Sequence, residues 1–151
     1  MKRMKRWISR EKKSKFHNKW VEEIFKNPAK LPIKIEGEII KKLKFPKSFF
    51  GKRDKRELTD IILVTKKEEI IHIYFVEIKT GIFANVVKAK YQIKTALTFF
   101  LKEFDFWKEK LEIKSYDRMV IHSLLIWVDK TVVPPSLKLE SEYQISINKK
   151  P

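Results

Sequence analysis

The sequence predicts an α/β domain, a central mixed β-sheet flanked by helices. Three observations lead there. Two β-branched, apolar runs, 59–64 and 70–78, flank the charged segment Lys66-Lys67-Glu68-Glu69, which is the pattern of a β-hairpin. Apolar residues recur at helical spacing in one segment before the hairpin and in another after it. A further strand-like run, Arg118 to Val128, follows the second helical segment. A length of 151 residues suits one domain with a real core, spanning 1–151.

Taken in order, Met1 to Lys19 holds nine Lys or Arg against the single acid Glu11. Residues 1–8 read as a basic arm that contacts phosphates or merely aids solubility. Ser9 is placed to cap a helix that runs to about Asn27, where Pro28 stops it. Phe16, Trp20 and Ile24 mark its buried face, with Glu23 at the edge of that face and Glu22 pointing further away. Leu31 to Leu43 reads as a strand, with Gly37 at a bulge or bend. Glu36 and Glu38 share the face opposite Ile33 and Ile35.

The next segment, Lys41 to Arg56, carries eight Lys or Arg against Asp54 alone, with Phe49 and Phe50 among them. Cations interleaved with rings suit a nucleic-acid loop, the cations for phosphate and the rings for stacking. The alternative is that the two phenylalanines pin the loop to the core. Candidate phosphate contacts are Lys41, Lys42, Lys44, Lys47, Lys52, Arg53, Lys55 and Arg56, with Lys88 on the later helix. That helix is expected from about Asn85 to Phe104 or beyond. Its stripe is Val86, Ala89, Ile93, Ala96, Leu97, Phe100 and Phe104, flanked by Lys88, Gln92 and Thr95. His122 lies in the following strand and reads as a structural histidine. Pro134-Pro135 breaks the chain, and Tyr143 to Ile147 is the last, edge strand.

The hairpin carries the chemistry. Strand side chains alternate between faces, so Asp60, Ile62 and Val64 share one face of the first strand. Ile71, Ile73, Phe75, Glu77 and Lys79 share one face of the second. A turn centred on Glu68 and Glu69 sets Asp60 opposite Glu77, with Cβ atoms roughly 5 Å apart. Two carboxylates that close require either a proton or a cation between them. With Lys79 alongside, Mg²⁺ resolves the repulsion, because it takes one or two carboxylates and keeps water and phosphate oxygens as its other ligands. The plain alternative is a hairpin with charged residues on its solvent face.

Asp60, then Glu77-Ile78-Lys79 after an antiparallel hairpin, then a helix with Gln92, resembles the PD-(D/E)xK nuclease superfamily. The phrase FVEIKTG is most similar to archaeal Holliday junction resolvases and related small endonucleases. The likeness spans roughly Trp20 to Phe104; no Pro precedes Asp60, which departs from the pattern. The resemblance implies a restriction-endonuclease-like sandwich with an α-β-β-β-α-β core, and a metal-dependent DNA endonuclease that uses Mg²⁺ or Mn²⁺. It implies metal ligation by Asp60, Glu77 and an acid on the first helix, assigned to Glu23 with Glu36 and Glu38 as rivals. Lys79 would orient the attacking water or stabilise developing charge, and Gln92, with Lys88 in reserve, would lie near the scissile phosphate. Products would be a 5′-phosphate and a 3′-hydroxyl, and a resolvase would act as a homodimer.

Composition agrees and excludes some classes. With 35 Lys and Arg against 19 Asp and Glu, the formal charge is +16, which implies a polyanionic partner such as DNA or a merely basic protein. No Cys is present, so disulfides, Cys-ligated zinc and iron–sulfur clusters are out, in keeping with an intracellular, cytoplasmic protein. No apolar run is long enough to span a membrane, no secretory leader is evident, and no Gly-rich phosphate loop appears. Two rival functions stand beside the endonuclease: an exonuclease or restriction-like nuclease of the same superfamily, and a nucleic-acid binder without catalysis.

Overall fold

The computed structural model describes residues 15–45, 59–80 and 86–149. Its centre is a five-stranded sheet in the order β1 (Glu38–Lys44), β2 (Ile61–Lys67), β3 (Ile70–Lys79), β4 (Arg118–Asp129) and β5 (Ser136–Asn148). β3 and β4 run parallel and the other neighbours antiparallel, so the sheet is mixed. A parallel pair needs a long crossover. Helices α2 (Val86–Lys102) and α3 (Phe104–Lys110) supply it. Helix α1, described over 15–26, precedes a single 3-10 turn at Pro28–Lys30.

Helices cover both faces. On one, Ala96, Leu97 and Phe100 of α2 and Trp107 of α3 pack on Ile62, Val64, Ile73, Phe75 and Ile121. The Phe100 ring stands edge-on to Phe75 with centroids 5.0 Å apart. On the other, Val21 and Ile24 of α1 and Leu31 meet Ile61, Leu63, Val76, Ile78, Leu124 and Ile126. β3 and β4 are therefore buried on both sides, which is why they read as nearly unbroken apolar runs rather than as alternation. No described helix is long and apolar enough to cross a membrane.

Four sequence expectations shift. The first strand begins at Glu38, not Leu31. Leu31 is instead buried under α1, and the chain turns into the sheet at Gly37, whose φ is +84°. A Cβ there would lie 2.7 Å from the Lys66 carbonyl oxygen, so glycine is required by conformation and by space. The long helix ends at Lys102, and a second begins after Glu103, folding Trp107 back beside Phe100. The first helix buries Val21 fully alongside the expected Ile24, while Phe16 and Trp20 pack on the same core only partly buried. The last strand is far longer than Tyr143 to Ile147. A register shift at Leu125/Ile126 skips Glu140, so Leu137 and Leu139 sit opposite Val128 and Ile126, whereas Tyr143, Ile145 and Ile147 sit opposite Ser123, Ile121 and Met119. A bulge of this kind moves odd-numbered residues from one face to the other, which hides a single strand in the sequence.

Candidate active site

The hairpin register is the one the charged turn implies. Glu68 and Glu69 form the turn, and Ile61 pairs with Val76. Asp60, one residue before β2, therefore stands across from Glu77. β3 runs on to Lys79 after β2 has ended, and side chains of the approaching segment complete its ladder. The Asp60 N–H donates to the Val76 carbonyl at 3.2 Å, and the Thr59 hydroxyl donates to the same oxygen at 2.8 Å. The Ile78 N–H donates to Asp60 Oδ2 at 2.7 Å. The Phe45 N–H closes the far side on the Asp60 carbonyl at 2.8 Å. Asp60 is thus fixed and only 4% exposed.

Glu77 keeps part of its side chain open, at 18% exposed, with Lys79 Nζ 3.7 Å from Oε1. Burial pushes its carboxyl up to about 8, the Asp60 charge adds to this, Lys79 pulls it down, and a hydrogen bond with Asp60 raises it again. Glu77, raised in this way, holds its proton at neutral pH, which relieves the repulsion between two close carboxylates.

His17 is the site residue that the sequence reading missed. Its Nε2 lies 3.1 Å from Asp60 Oδ2 and its Nδ1 is 3.1 Å from Asn18 Oδ1. Burial works against its charge. Its hydrogen bond to Asp60 and the charge of Asp60 outweigh that, with help from Asn18 and Glu77, and raise the imidazole to about 9. The signal was present: His17, Val21 and Ile24 follow the i, i+4, i+7 spacing of one helix face, but Phe16 and Trp20 are the more conspicuous pair.

The other expected residues fall in several places. Glu23 pairs with Lys30 at 3.5 Å, roughly 9 Å further along the helix than His17, and is not joined to the two acids. Glu36 lies 3.9 Å from Lys67, and Glu38 is exposed at the start of β1. Gln92 is exposed on α2, next to Ile93, which packs on Leu125, the β4 partner of Glu77. Lys41 pairs with Glu112 at 3.2 Å. Lys42 donates to the Phe25 carbonyl at 2.9 Å and lies over its ring, while Lys44 pairs with Glu22. These three cations are engaged within the protein. Lys47, Lys52, Arg53, Lys55 and Arg56, and the side chain of Lys88, lie outside the described residues.

Asp60 and Glu77 suit a hard divalent cation that takes two carboxylates and keeps its waters. A fuller protein cage is not in place: among the described residues no three His, Asp and Glu side chains form a metal-ligand group. No protein family, curated protein or solved structure matches the chain.

Proposed function

We propose that the chain is a metal-dependent deoxyribonuclease that hydrolyses phosphodiester bonds at Asp60 and Glu77. The observation that carries this reading is the half-buried acid pair. The two carboxylates stand opposite each other across β2 and β3, the Glu77 carboxyl is raised to about 8 chiefly by burial, and Lys79 lies beside it. A carboxylate pair of this kind, at the open end of a sheet on a chain of charge +16, is suited to bring a cation and a phosphate together. The order of helix, three strands, helices and strand supports the restriction-endonuclease-like sandwich, of which β5 would be an extension.

Asp60 and Glu77 would hold Mg²⁺ or Mn²⁺, which supplies Lewis-acid polarisation of phosphate oxygen and an acidified water. Within that site, the Ile78 N–H and His17 fix the orientation of the Asp60 carboxylate. With a cation held there, Glu77 would be ionised and would serve with Asp60 as a ligand. Lys79, 40% exposed, places positive charge where negative charge develops on the phosphate. His17 has the place on the first helix that had been expected of Glu23. The preferred form of the enzyme is a structure-selective endonuclease, working as a homodimer when it cuts two strands.

The test is cleavage of a labelled four-way junction, linear duplex and single strand in Mg²⁺, Mn²⁺ and EDTA. Metal-dependent cutting lost in Asp60→Ala and in Glu77→Ala, with DNA binding retained, is expected. Paired symmetric nicks in the junction indicate a resolvase, and degradation from ends an exonuclease. Cutting that survives both substitutions removes the site, and binding without cutting in any metal makes the chain a binder.

A further inference from the structure

We propose that His72 and His122 form a site for one borderline divalent transition-metal ion, of the Zn²⁺ class, on the face of the sheet opposite α2. Only three histidines occur in the chain, and two of them meet here. His72 Nδ1 and His122 Nε2 face each other at 3.0 Å, with the rings 23° from coplanar. Imidazole nitrogen is a preferred ligand for Zn²⁺, Ni²⁺ and Cu²⁺.

The strands and their neighbours fix the geometry. His72 alternates with Ile71 and Ile73, which point beneath α2, so it faces the other side. His122 pairs with Tyr74 across the parallel seam of β3 and β4. The Tyr74 ring stacks on His122 at 4.3 Å and 7°, and its hydroxyl accepts the Glu36 N–H at 3.0 Å. Glu142 Oε1 lies 3.4 Å from His122 Nδ1. That contact places the His122 proton on Nδ1 and leaves Nε2 with a lone pair directed at His72, the arrangement in which a carboxylate supports a metal-bound histidine. Burial pushes both imidazoles down.

Two neutral imidazoles that face nitrogen to nitrogen bind either one proton or one cation between them. A tetrahedral ion with bonds of about 2.0–2.1 Å needs its ligand nitrogens roughly 3.3–3.4 Å apart. The observed nitrogens meet head-on at 3.0 Å with the ring centroids 5.3 Å apart, the geometry of an N–H···N hydrogen bond; an ion would displace that hydrogen and turn each ring by roughly 35° towards a point off the line between them, and His72 is only partly buried. Two coordination positions would be taken by water, since no third ligand joins the pair among the described residues. The nearby positive groups have partners of their own: Lys67 lies 3.9 Å from Glu36, and Arg118 Nε donates to Ser146 at 2.7 Å. A bound ion would tie β3 to β4 and, through Glu142, to β5. It would be structural, because His72 lies five residues and roughly 17 Å along β3 from Glu77, on the opposite face. The site is independent of the nuclease reading.

The experiment is a Zn²⁺ titration of the full chain by calorimetry, with Cu²⁺ paramagnetic resonance and imidazole nitrogen NMR beside it. One ion at the two imidazoles, counted in the Glu77→Gln chain so that the acid pair adds no second ion, with a raised melting temperature and nitrogen hyperfine coupling, is expected. His72→Gln or His122→Gln should weaken binding by about 100-fold or more. Glu142→Gln should weaken it by roughly 10–100-fold, and Thr98→Ala on the exposed side of α2 should leave it unchanged. Binding unaltered by His72→Gln, or NMR shifts that fall on His17 instead, would overturn the site. The wild-type NMR spectrum decides the matter even where a histidine variant does not fold.

Discussion

Beside Asp60, Glu77 is raised by burial to about 8 and His17 by its Asp60 partner to about 9, and this makes the metal-free protein sensitive to alkali. Both His17, raised to about 9, and Glu77, raised to about 8, bind protons more tightly when folded. A raised folded value contributes stability that is present below the unfolded value and is lost as pH rises through the folded one. For Glu77 the loss runs from about 4.5 to 8, and for His17 from about 6.5 to 9. The melting temperature in EDTA is therefore expected to fall between pH 7 and 9, less steeply in Glu77→Gln, with Mn²⁺ restoring it. A flat profile, or the same slope in the variant, would show that Glu77 is not held protonated in the folded chain. The register of these two acids was legible because a β-hairpin with a short charged turn has few ways to pair. His17 was not, since a lone histidine announces no face; only the fully buried Val21 and Ile24 reveal which stripe it belongs to.

At the scale of elements, the β2–β3 turn is a weak point. Glu68 has φ of 57°, a left-handed conformation that favours Asn or Gly and strains a longer side chain. Glu68→Asn should raise stability by about 0.5–1 kcal/mol with cleavage unchanged, measured by urea unfolding; a loss of stability would show that the Glu68 side chain holds the turn. This absence of a turn signature did not obscure the hairpin, because the β-branched runs on either side specified it. The other elements were legible in type but less so in extent. β1 lost its first half to the α1 core because Leu31 and Ile33 found apolar partners there, which strand periodicity cannot foresee. β5 was half hidden by the bulge at Glu140, since an exposed edge strand lacks the continuous apolar run that made β3 and β4 plain.

For the whole molecule, a charge of +16 sets how it should meet DNA. Affinity for duplex should fall by roughly 10³-fold or more between about 50 and 200 mM salt, read by fluorescence anisotropy, with Asp60→Ala at least as tight as wild type. Salt-insensitive binding would count against phosphate contacts. Lys42 and Lys44 tie β1 to α1, so their loss should lower stability more than the salt slope. The central claim is narrower than DNA binding: Asp60 and Glu77 together take a hard divalent cation. The most direct measurement is Mn²⁺ titration at pH 8, by calorimetry, of the wild type beside Asp60→Asn and Glu77→Gln. One ion bound by the wild type, with release of roughly half a proton at this pH as Glu77, raised to about 8, ionises, and binding lost in both variants is the expected result. Equal Mn²⁺ affinity in all three proteins would contradict it and leave the acid pair as a structural contact within the sheet.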